Sequence, residues 1–231
     1  EEAQLPVLIL SDQAIGQRRQ TVEAANLVHA VIDRRTPAAD ELADYRRYVD
    51  TPNGVSPMTF PSMKDGIYQT NGLEHDEMAR PASSHVMHEK MSKKRFRKLP
   101  WLEEKYPLFQ RLGPEKADVG IVCWGSSKGP VEEAMRELAA QGVSVSAFVP
   151  RILMPFPKKA LLEYVKSVKH LAFIEINFVG QLYLYLRTMV DLPADTRVFK
   201  RSGGMNLSVT EVQKYVHQVL SETAAAKEVT A

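Results

Sequence analysis

Three short segments of the sequence carry residue types that could bind an anion, hold a metal or move a proton. The first is a loop of Gly125, Ser126 and Ser127, followed by Lys128 and Gly129, between an apolar run and a helical stretch. Backbone N–H groups at a helix N-terminus bind phosphate and carboxylate groups, so the loop is a candidate ligand site. It lacks the full spacing of a Walker or dinucleotide fingerprint. A serine-capped helix start with glycines for a tight turn explains the same residues.

The second segment contains Glu175, Asn177 and Gln181. Glu175 falls near the end of an otherwise apolar stretch, where a doubly wound sheet places its ligand crevice. A carboxylate buried at that point needs a hydrogen-bond partner, which Asn177 or Gln181 could provide. The pattern fits structural hydrogen bonding and site chemistry equally well, so all three residues are candidates for ligand or interface contacts.

The third segment, residues 72–77, places carboxylates around a histidine and includes Glu74 and His75. With His85 and His88 nearby, it suggests a metal site. Adjacent acidic side chains do not point the same way in an extended chain, however, and the histidines lack the spacing of a ligand pair. A solvated or interface turn is the better interpretation, and we expect no metal ligand in this chain.

A strongly basic stretch follows, in which six of the nine residues from Lys90 to Lys98 are lysine or arginine. Such a face could dock an acidic protein or a nucleic acid. Only one aromatic residue, Phe96, accompanies it, which favours an exposed linker helix. The chain as a whole has 30 Lys and Arg against 28 Asp and Glu, a net charge of +2, which is too balanced for a nucleic-acid-coating protein.

The composition, 44% hydrophobic and 25% charged, is that of an ordinary globular protein and excludes disorder. The sequence has one cysteine, Cys123, inside an apolar run, which predicts an inert core residue. One cysteine excludes a disulfide framework, a four-cysteine zinc site and a cluster held by four thiolates. The acidic start is not that of a secretory signal, and no window of 18 apolar residues predicts a membrane span. We therefore expect a cytoplasmic protein with no membrane partner.

The elements that must position these segments are regular from about residue 118 onward. Apolar runs and amphipathic stretches alternate, which predicts an α/β fold with a parallel sheet covered on both faces. Strands are expected at 118–124, 143–149, 170–176 and 197–199. Helices are expected around 131–139 and 161–165, from a start near 180–182, and over 208–220.

The first half is less regular. A buried strand is predicted at Pro6 to Leu10, then a long irregular section over residues 36–81 and a basic helix over residues 83–99 that ends at Pro100. A domain boundary is expected there, giving domains at 1–100 and 101–231. Because the chain lacks an initial Met and opens directly in a strand, we expect it to be part of a longer subunit.

Several motifs in a fixed order give the chain a family likeness. It resembles the C-terminal part of the α subunit of thiamine diphosphate-dependent 2-oxoacid:ferredoxin oxidoreductases, closest to the 2-oxoglutarate type. Two residues depart from the family pattern: Met58 stands where an arginine is common, and Ser62 where glycine is common. The motifs that carry the resemblance are Pro6–Val7 with Leu10–Gln13, Asn53–Pro57, Gly72–Glu77, Trp124–Ser126, Pro155–Pro157 and Glu175–Asn177 with Gly180–Leu182.

The resemblance implies oxidative decarboxylation of a 2-oxoacid to acyl-CoA and CO₂ with reduction of ferredoxin. It implies that residues 1–100 are the end of a pyrimidine-type thiamine-binding domain, and residues 101–231 a transketolase C-terminal-like domain. Thiamine diphosphate, Mg²⁺ and a 4Fe-4S cluster are expected in the complex, mostly on the β subunit, with none held by this chain alone, and coenzyme A is a substrate. The expected partners are the β subunit, in a dimer of αβ dimers, and ferredoxin.

No catalytic residue of the family can be placed on a position of this chain, so we expect it to assemble and shape the enzyme. Two alternatives share the predicted fold. One is a stand-alone Rossmann- or flavodoxin-like module that binds a nucleotide or CoA through the loop from Gly125 to Gly129. The other is the C-terminal half of a transketolase-like or 2-oxoacid dehydrogenase subunit, which the segment over residues 72–77 disfavours.

Overall fold

The computed structural model describes residues 1–23 and 34–230, with side chains up to residue 222. The chain divides into two compact units, Glu1–Ile9 with Gln20–Tyr106, and Leu10–Arg19 with Pro107–Ala231. We call them the first and the second unit. In chain order the helices are α1 (Gln13–Gln17), α2 (His85–Phe96), α3 (Lys98–Lys105), α4 (Lys128–Ala140), α5 (Lys158–Lys166), α6 (Gln181–Arg187) and α7 (Val209–Thr230), and the strands are β1 (Phe109–Leu112), β2 (Ala117–Cys123), β3 (Val145–Pro150), β4 (Val168–Glu175) and β5 (Arg197–Lys200).

The second unit is a five-stranded sheet in the order β1-β3-β2-β4-β5. Strands β2 to β5 run parallel, and β1 pairs antiparallel with β3 at one edge. This confirms the predicted α/β fold with a parallel sheet. The edge strand β1 escaped the sequence analysis because its residues, Phe-Gln-Arg-Leu, form no apolar run, and its pairing depends on the exposed edge of β3.

Helices cover both faces of the sheet because side chains of a strand alternate between its faces. On one face Val119, Ile121 and Cys123 pack with residues of α4 and α7. On the other face Val122 packs with Phe148 and with residues of α5 and α6. The buried face of α4 is the predicted one, formed by Val131, Ala134, Met135 and Leu138.

The first unit contains no strand among its described residues beyond a bridge between His75 and Pro81. The expected irregular section is present and is held by side-chain hydrogen bonds to backbone carbonyls, as from Thr59 Oγ1 to Gly66 at 2.6 Å and from Ser56 Oγ to Val49 at 2.8 Å. Pro100 does not end the basic helix region. It lies in the first turn of α3, where a missing backbone N–H breaks no helical hydrogen bond.

The predicted buried strand at Pro6 to Leu10 is wrong for this structure. Val7, Leu8 and Ile9 are 77%, 90% and 88% exposed, and their backbone groups pair with no other described strand. A strand is stable only when a neighbour satisfies its N–H and C=O groups, and a run of apolar residues does not provide that neighbour.

Candidate functional site

The loop at Gly125 does bind a carboxylate, and the carboxylate belongs to the chain itself. Asp12 begins α1, where its Oδ1 accepts a hydrogen bond from the backbone N–H of Ile15 at 3.0 Å. Its Oδ2 accepts the N–H of Ser126 at 2.8 Å. Gly125 has a φ of +58°, and a Cβ at that position would lie 2.8 Å from Asp12 Oδ2. The turn therefore closes around Asp12 and leaves no equivalent space for an external phosphate.

Burial by itself would raise the pKa of Asp12, but the N–H donors of Ile15 and Ser126 outweigh it and lower the pKa. The carboxylate is thus ionised and anchored at neutral pH. Ser126 and Ser127 keep their backbone positions in this turn, while their buried Oγ atoms have no hydrogen-bond partner among the described residues. Sequence reasoning missed Asp12, although an aspartate before a short helical stretch is a usual N-cap signal.

Glu175 is fully buried at the end of β4 and caps α6. Its Oε2 accepts hydrogen bonds from the N–H of Leu182 and from Asn177 Nδ2, both at 2.8 Å, and its Oε1 accepts the N–H of Tyr183 at 2.9 Å. Asn177 Oδ1 in turn accepts the backbone N–H groups of Gly180 at 2.7 Å and Gln181 at 2.9 Å. The two side chains satisfy all four amides at the start of α6, as a helix N-terminus favours.

Of the two interpretations left open for Glu175 and Asn177, the structure supports structural hydrogen bonding. Both oxygens of the carboxylate are occupied by donors of the chain, and no oxygen of Asn177 is left to bind a ligand. Gln181 contributes its backbone N–H, and its side chain is exposed. The Gly125 turn and the Glu175 cap lie at the carboxyl ends of β2 and β4, which are neighbours in the sheet. At this edge of the sheet, Asp12 occupies the Gly125 turn and Glu175 occupies the N-terminus of α6.

Glu74 and His75 lie in the first unit. Glu74 accepts two hydrogen bonds from Arg95 of α2, at 2.6 and 2.9 Å, and the Arg95 guanidinium lowers the Glu74 pKa to about 2. His75 stacks on Tyr48 with ring centroids 4.0 Å apart, and its Nδ1 lies 2.9 Å from the backbone oxygen of Asp76. The segment is thus an ion-paired turn.

The exposed cations of α2 form ion pairs with the acids of residues 72–77 and with other neighbouring acids. Lys90 pairs with Glu77 at 2.6 Å, and Lys93 pairs with Glu89 at 2.6 Å. Arg97, which joins α2 to α3, pairs with Asp50. The basic stretch is therefore largely neutralised within the chain and does not present a free cationic face.

Among the described residues, no group of three or more His, Cys, Asp or Glu side chains could hold a metal ion. Cys123 is buried in β2, and burial raises the pKa of its thiol to about 12, so it is an inert core residue as expected. No described helix is long and apolar enough to cross a membrane.

Comparison with known proteins identifies what this fold is similar to. Residues 117–212, within the second unit, match the family described as pyruvate:ferredoxin oxidoreductase core domain II. The α subunit of 2-oxoacid:ferredoxin oxidoreductase 2 from Aeropyrum pernix is 32% identical over 208 residues, which are 88% of this chain and 32% of that protein. The 2-oxoglutarate synthase subunit KorA from Methanothermobacter marburgensis is 26% identical over 88% of this chain and 54% of its own length.

A solved structure resembles the chain over both units. The 2-oxoglutarate:ferredoxin oxidoreductase from Magnetococcus marinus, with 2-oxoglutarate, coenzyme A and succinyl-CoA bound, superimposes with a TM-score of 0.77 at 32% identity. The match covers 82% of this chain and 33% of that chain. This chain therefore spans between about a third and about a half of the length of these relatives.

Proposed function

We propose, from the similarity of this chain to α subunits of 2-oxoacid:ferredoxin oxidoreductases, that it is a segment of such a subunit that assembles and shapes the enzyme. The complex would convert a 2-oxoacid and coenzyme A to acyl-CoA and CO₂, and would pass the two electrons released to ferredoxin one at a time. We propose 2-oxoglutarate as the 2-oxoacid, since relatives are named for it and the Magnetococcus marinus enzyme has it bound.

The structural role is supported by one observation: at the edge where parallel sheets bind ligands, the backbone N–H donors already bind carboxylates of this chain. Asp12 occupies the turn at Ser126, and Glu175 occupies the start of α6. An internal carboxylate at a helix N-terminus stabilises the fold and excludes a second anion. These residues hold two loops in place and are not arranged to contact a reacting substrate.

The described residues do not fit the cofactors of the family. Thiamine diphosphate, which supplies the carbanion chemistry when bound, requires a diphosphate cradle, and the Gly125 turn is filled by Asp12. A 4Fe-4S cluster requires several accessible thiolates, and the one cysteine is a buried thiol. We propose that the β subunit holds thiamine diphosphate, Mg²⁺ and the cluster, and that the electron path to ferredoxin runs through that subunit.

We further propose that residues 1–100 end a pyrimidine-type thiamine-binding domain and that residues 101–231 form a transketolase C-terminal-like domain. In a dimer of αβ dimers in the cytoplasm, the exposed apolar residues Val7, Leu8 and Ile9 would be covered by the rest of the subunit. Their exposure in this chain supports the view that the first unit is completed by further sequence. A stand-alone nucleotide- or CoA-binding module is disfavoured because its loop already holds Asp12.

The experiment compares three samples: the 231-residue chain, the full-length α subunit with its β subunit, and the same complex with Glu175→Gln. Each is supplied with 2-oxoglutarate, coenzyme A, thiamine diphosphate, Mg²⁺ and ferredoxin, and both CO₂ release and ferredoxin reduction are measured. We expect no activity from the chain alone and full activity from the complex. Other 2-oxoacids in the same assay test the substrate assignment.

The Glu175→Gln complex separates assembly from catalysis. A positioning role predicts less assembled complex by size-exclusion chromatography, with kcat per assembled complex within about twofold of the original. Gln181→Ala, whose side chain is exposed next to the same cap, is the matched control and should change neither. A fall of roughly 100-fold in kcat of the assembled Glu175→Gln complex, or activity of the chain alone, would refute the proposed role.

A further inference from the structure

The first unit buries three cations. Arg47, Lys94 and Lys98 are 8%, 5% and 6% exposed. Lys94 and Lys98 both adjoin the turn at Gly54. Burial lowers the pKa of both lysines, and the charge of Arg47 lowers both further. We call these three residues the buried cation cluster. Burying like charges together is unfavourable unless an anion compensates them.

No carboxylate of the described residues pairs with any member of the cluster. Lys98 Nζ donates to the backbone oxygen of Gln4 at 3.1 Å, and Lys94 Nζ has neither an ion pair nor a hydrogen bond with any described residue. Asp50 is near Lys94 but pairs with Arg97. The exposed cations Lys90, Lys93 and Arg97 thus pair with acids. The buried Lys94 of α2 and Lys98 of α3 have no acidic partner among the described residues, which is the reverse of what folding stability alone favours.

Contacts with aromatic rings orient the Arg47 guanidinium. Its guanidinium lies over the rings of Tyr48 and Tyr68, at 4.9 and 5.6 Å from their centroids. One terminal nitrogen donates only to the thioether of Met58, at 3.3 Å, which is a weak acceptor. Its buried Nε has no acceptor within residues 1–23 and 34–222. Donors fixed in this way and left unsatisfied gain strong charge-assisted hydrogen bonds from a carboxylate or a phosphate.

The backbone around the cluster is closely packed, so the cations cannot easily move apart. Gly54, with a φ of +77°, passes directly over the end of α2, where a Cβ would lie 2.2 Å from the backbone oxygen of Lys94 and 3.2 Å from Lys98 Cγ. The side chain of Asn53 fixes this turn by accepting the N–H of Val55 at 3.0 Å. The turn and the helix thus hold both lysine stems in place.

We propose that the buried cation cluster is an oxyanion-binding site that takes the carboxylate or phosphate group of a small anionic ligand. This inference does not depend on the proposed function, because it rests on three buried cations that have no acidic partner among the described residues. Carboxylate and phosphate share the chemistry that the cluster recognises, and the test distinguishes them by using ligands that carry one or the other.

The test is isothermal titration calorimetry of the 231-residue chain at constant ionic strength with inorganic phosphate, 2-oxoglutarate or coenzyme A. We expect saturable binding of at least one of them. Lys94→Met keeps the length of the apolar stem and removes the charge, and it should weaken that binding about 10-fold or more. Lys93→Met is the matched control on the exposed side of α2 and should leave binding within about twofold.

Thermal unfolding provides a second readout that does not depend on detecting heat of binding. The bound anion should raise the Tm of the original chain and of Lys93→Met, and should raise that of Lys94→Met much less. Binding by phosphate and coenzyme A would assign a phosphate ligand, and binding by 2-oxoglutarate alone a carboxylate ligand. The inference is overturned if none of the three ligands binds, or if Lys94→Met binds them as well as the control.

Discussion

Replacing Lys94 by methionine should stabilise the first unit at neutral pH, although it removes a charged residue from a helix. Burial, together with the charges of Lys98 and Arg47, lowers the Lys94 pKa from its ordinary 10.5 to about 8. A difference of this size corresponds to about 3 kcal/mol of unfavourable free energy for the charged form in the folded state. Methionine fills similar apolar space without this cost, so the free energy of unfolding should rise by up to about 3 kcal/mol at pH 7.

The advantage of Lys94→Met should disappear as the pH rises. Below pH 8 Lys94 is charged in both folded and unfolded states, so the full cost applies. Between pH 8 and 10.5 the unfolded state keeps a proton that the folded state has lost, and the original chain therefore gains stability with pH. Burial also lowers the pKa of Lys98 to about 8. Lys98 is present in the original chain and in Lys94→Met, so it adds to the pH dependence of stability in both. The charged groups that act on Lys94 are Lys98, Arg47, Asp50 and Arg95.

The assay must report on the first unit alone. Trp101 lies in α3 of that unit, and the other tryptophan, Trp124, lies in the second unit, so a Trp124→Phe background leaves Trp101 as the fluorescent probe. Urea titrations are run from pH 7 to pH 10 in buffers without phosphate or sulfate. Lys93→Met, an exposed position paired with Glu89, serves as the control and should change stability by less than about 0.5 kcal/mol.

Two results would refute the reasoning. One is a loss of stability in Lys94→Met at pH 7, which would mean that the Lys94 charge is compensated in the folded chain. The other is a stability difference that stays constant from pH 7 to pH 10, which would mean that Lys94 titrates at its ordinary pKa and is not held in a poorly solvated position.

Two further variants test the edge of the sheet, with urea unfolding followed by near-ultraviolet circular dichroism. Gly125→Ala should lower the free energy of unfolding by about 2 kcal/mol, because alanine is strained at a φ of +58° and its Cβ would contact the Asp12 carboxylate. Gly129→Ala is the control: its Cβ has open space inside α4, so the free energy of unfolding should stay unchanged or rise by about 0.5 kcal/mol. Glu175→Gln should lower the free energy of unfolding by about 2–3 kcal/mol, because the NH₂ group of glutamine would face a backbone N–H at the start of α6 where a carboxylate oxygen now accepts it. Gln181→Ala, the control, should lower it by less than about 0.5 kcal/mol. Equal effects of a variant and its control would contradict the assigned contacts.

Much of the second unit could be predicted from sequence because its signals are local. The strands β2 to β5 and the helices between them follow from apolar runs and helical spacing within short windows, and each prediction fell within a few residues of the observed element. The same local reasoning was wrong at Pro6 to Leu10, where an apolar run has no neighbouring strand among the described residues. A strand is defined by a partner that its own window does not contain.

The candidate residues were recognised at the right places, but their roles depended on partners far along the chain. Glu175 could be judged from nearby residues, because its donors at Asn177, Leu182 and Tyr183 lie within eight positions. Ser126 could not, because the carboxylate that fills its turn comes from Asp12, 114 positions away.

The sequence by itself determined the α/β class of the second unit, the positions of most of its elements, the exclusion of a cysteine-held cluster and the resemblance to a family. Only the tertiary structure decided which polar groups are satisfied and which are not. In the folded chain Asp12 occupies the Gly125 turn, and acids pair with the exposed cations of α2. Arg47, Lys94 and Lys98 are buried with no acidic partner in the part of the chain that the structure describes. The physical reason is that secondary structure follows from the spacing of neighbouring residues, whereas electrostatics depends on distances between groups that only the folded chain brings together.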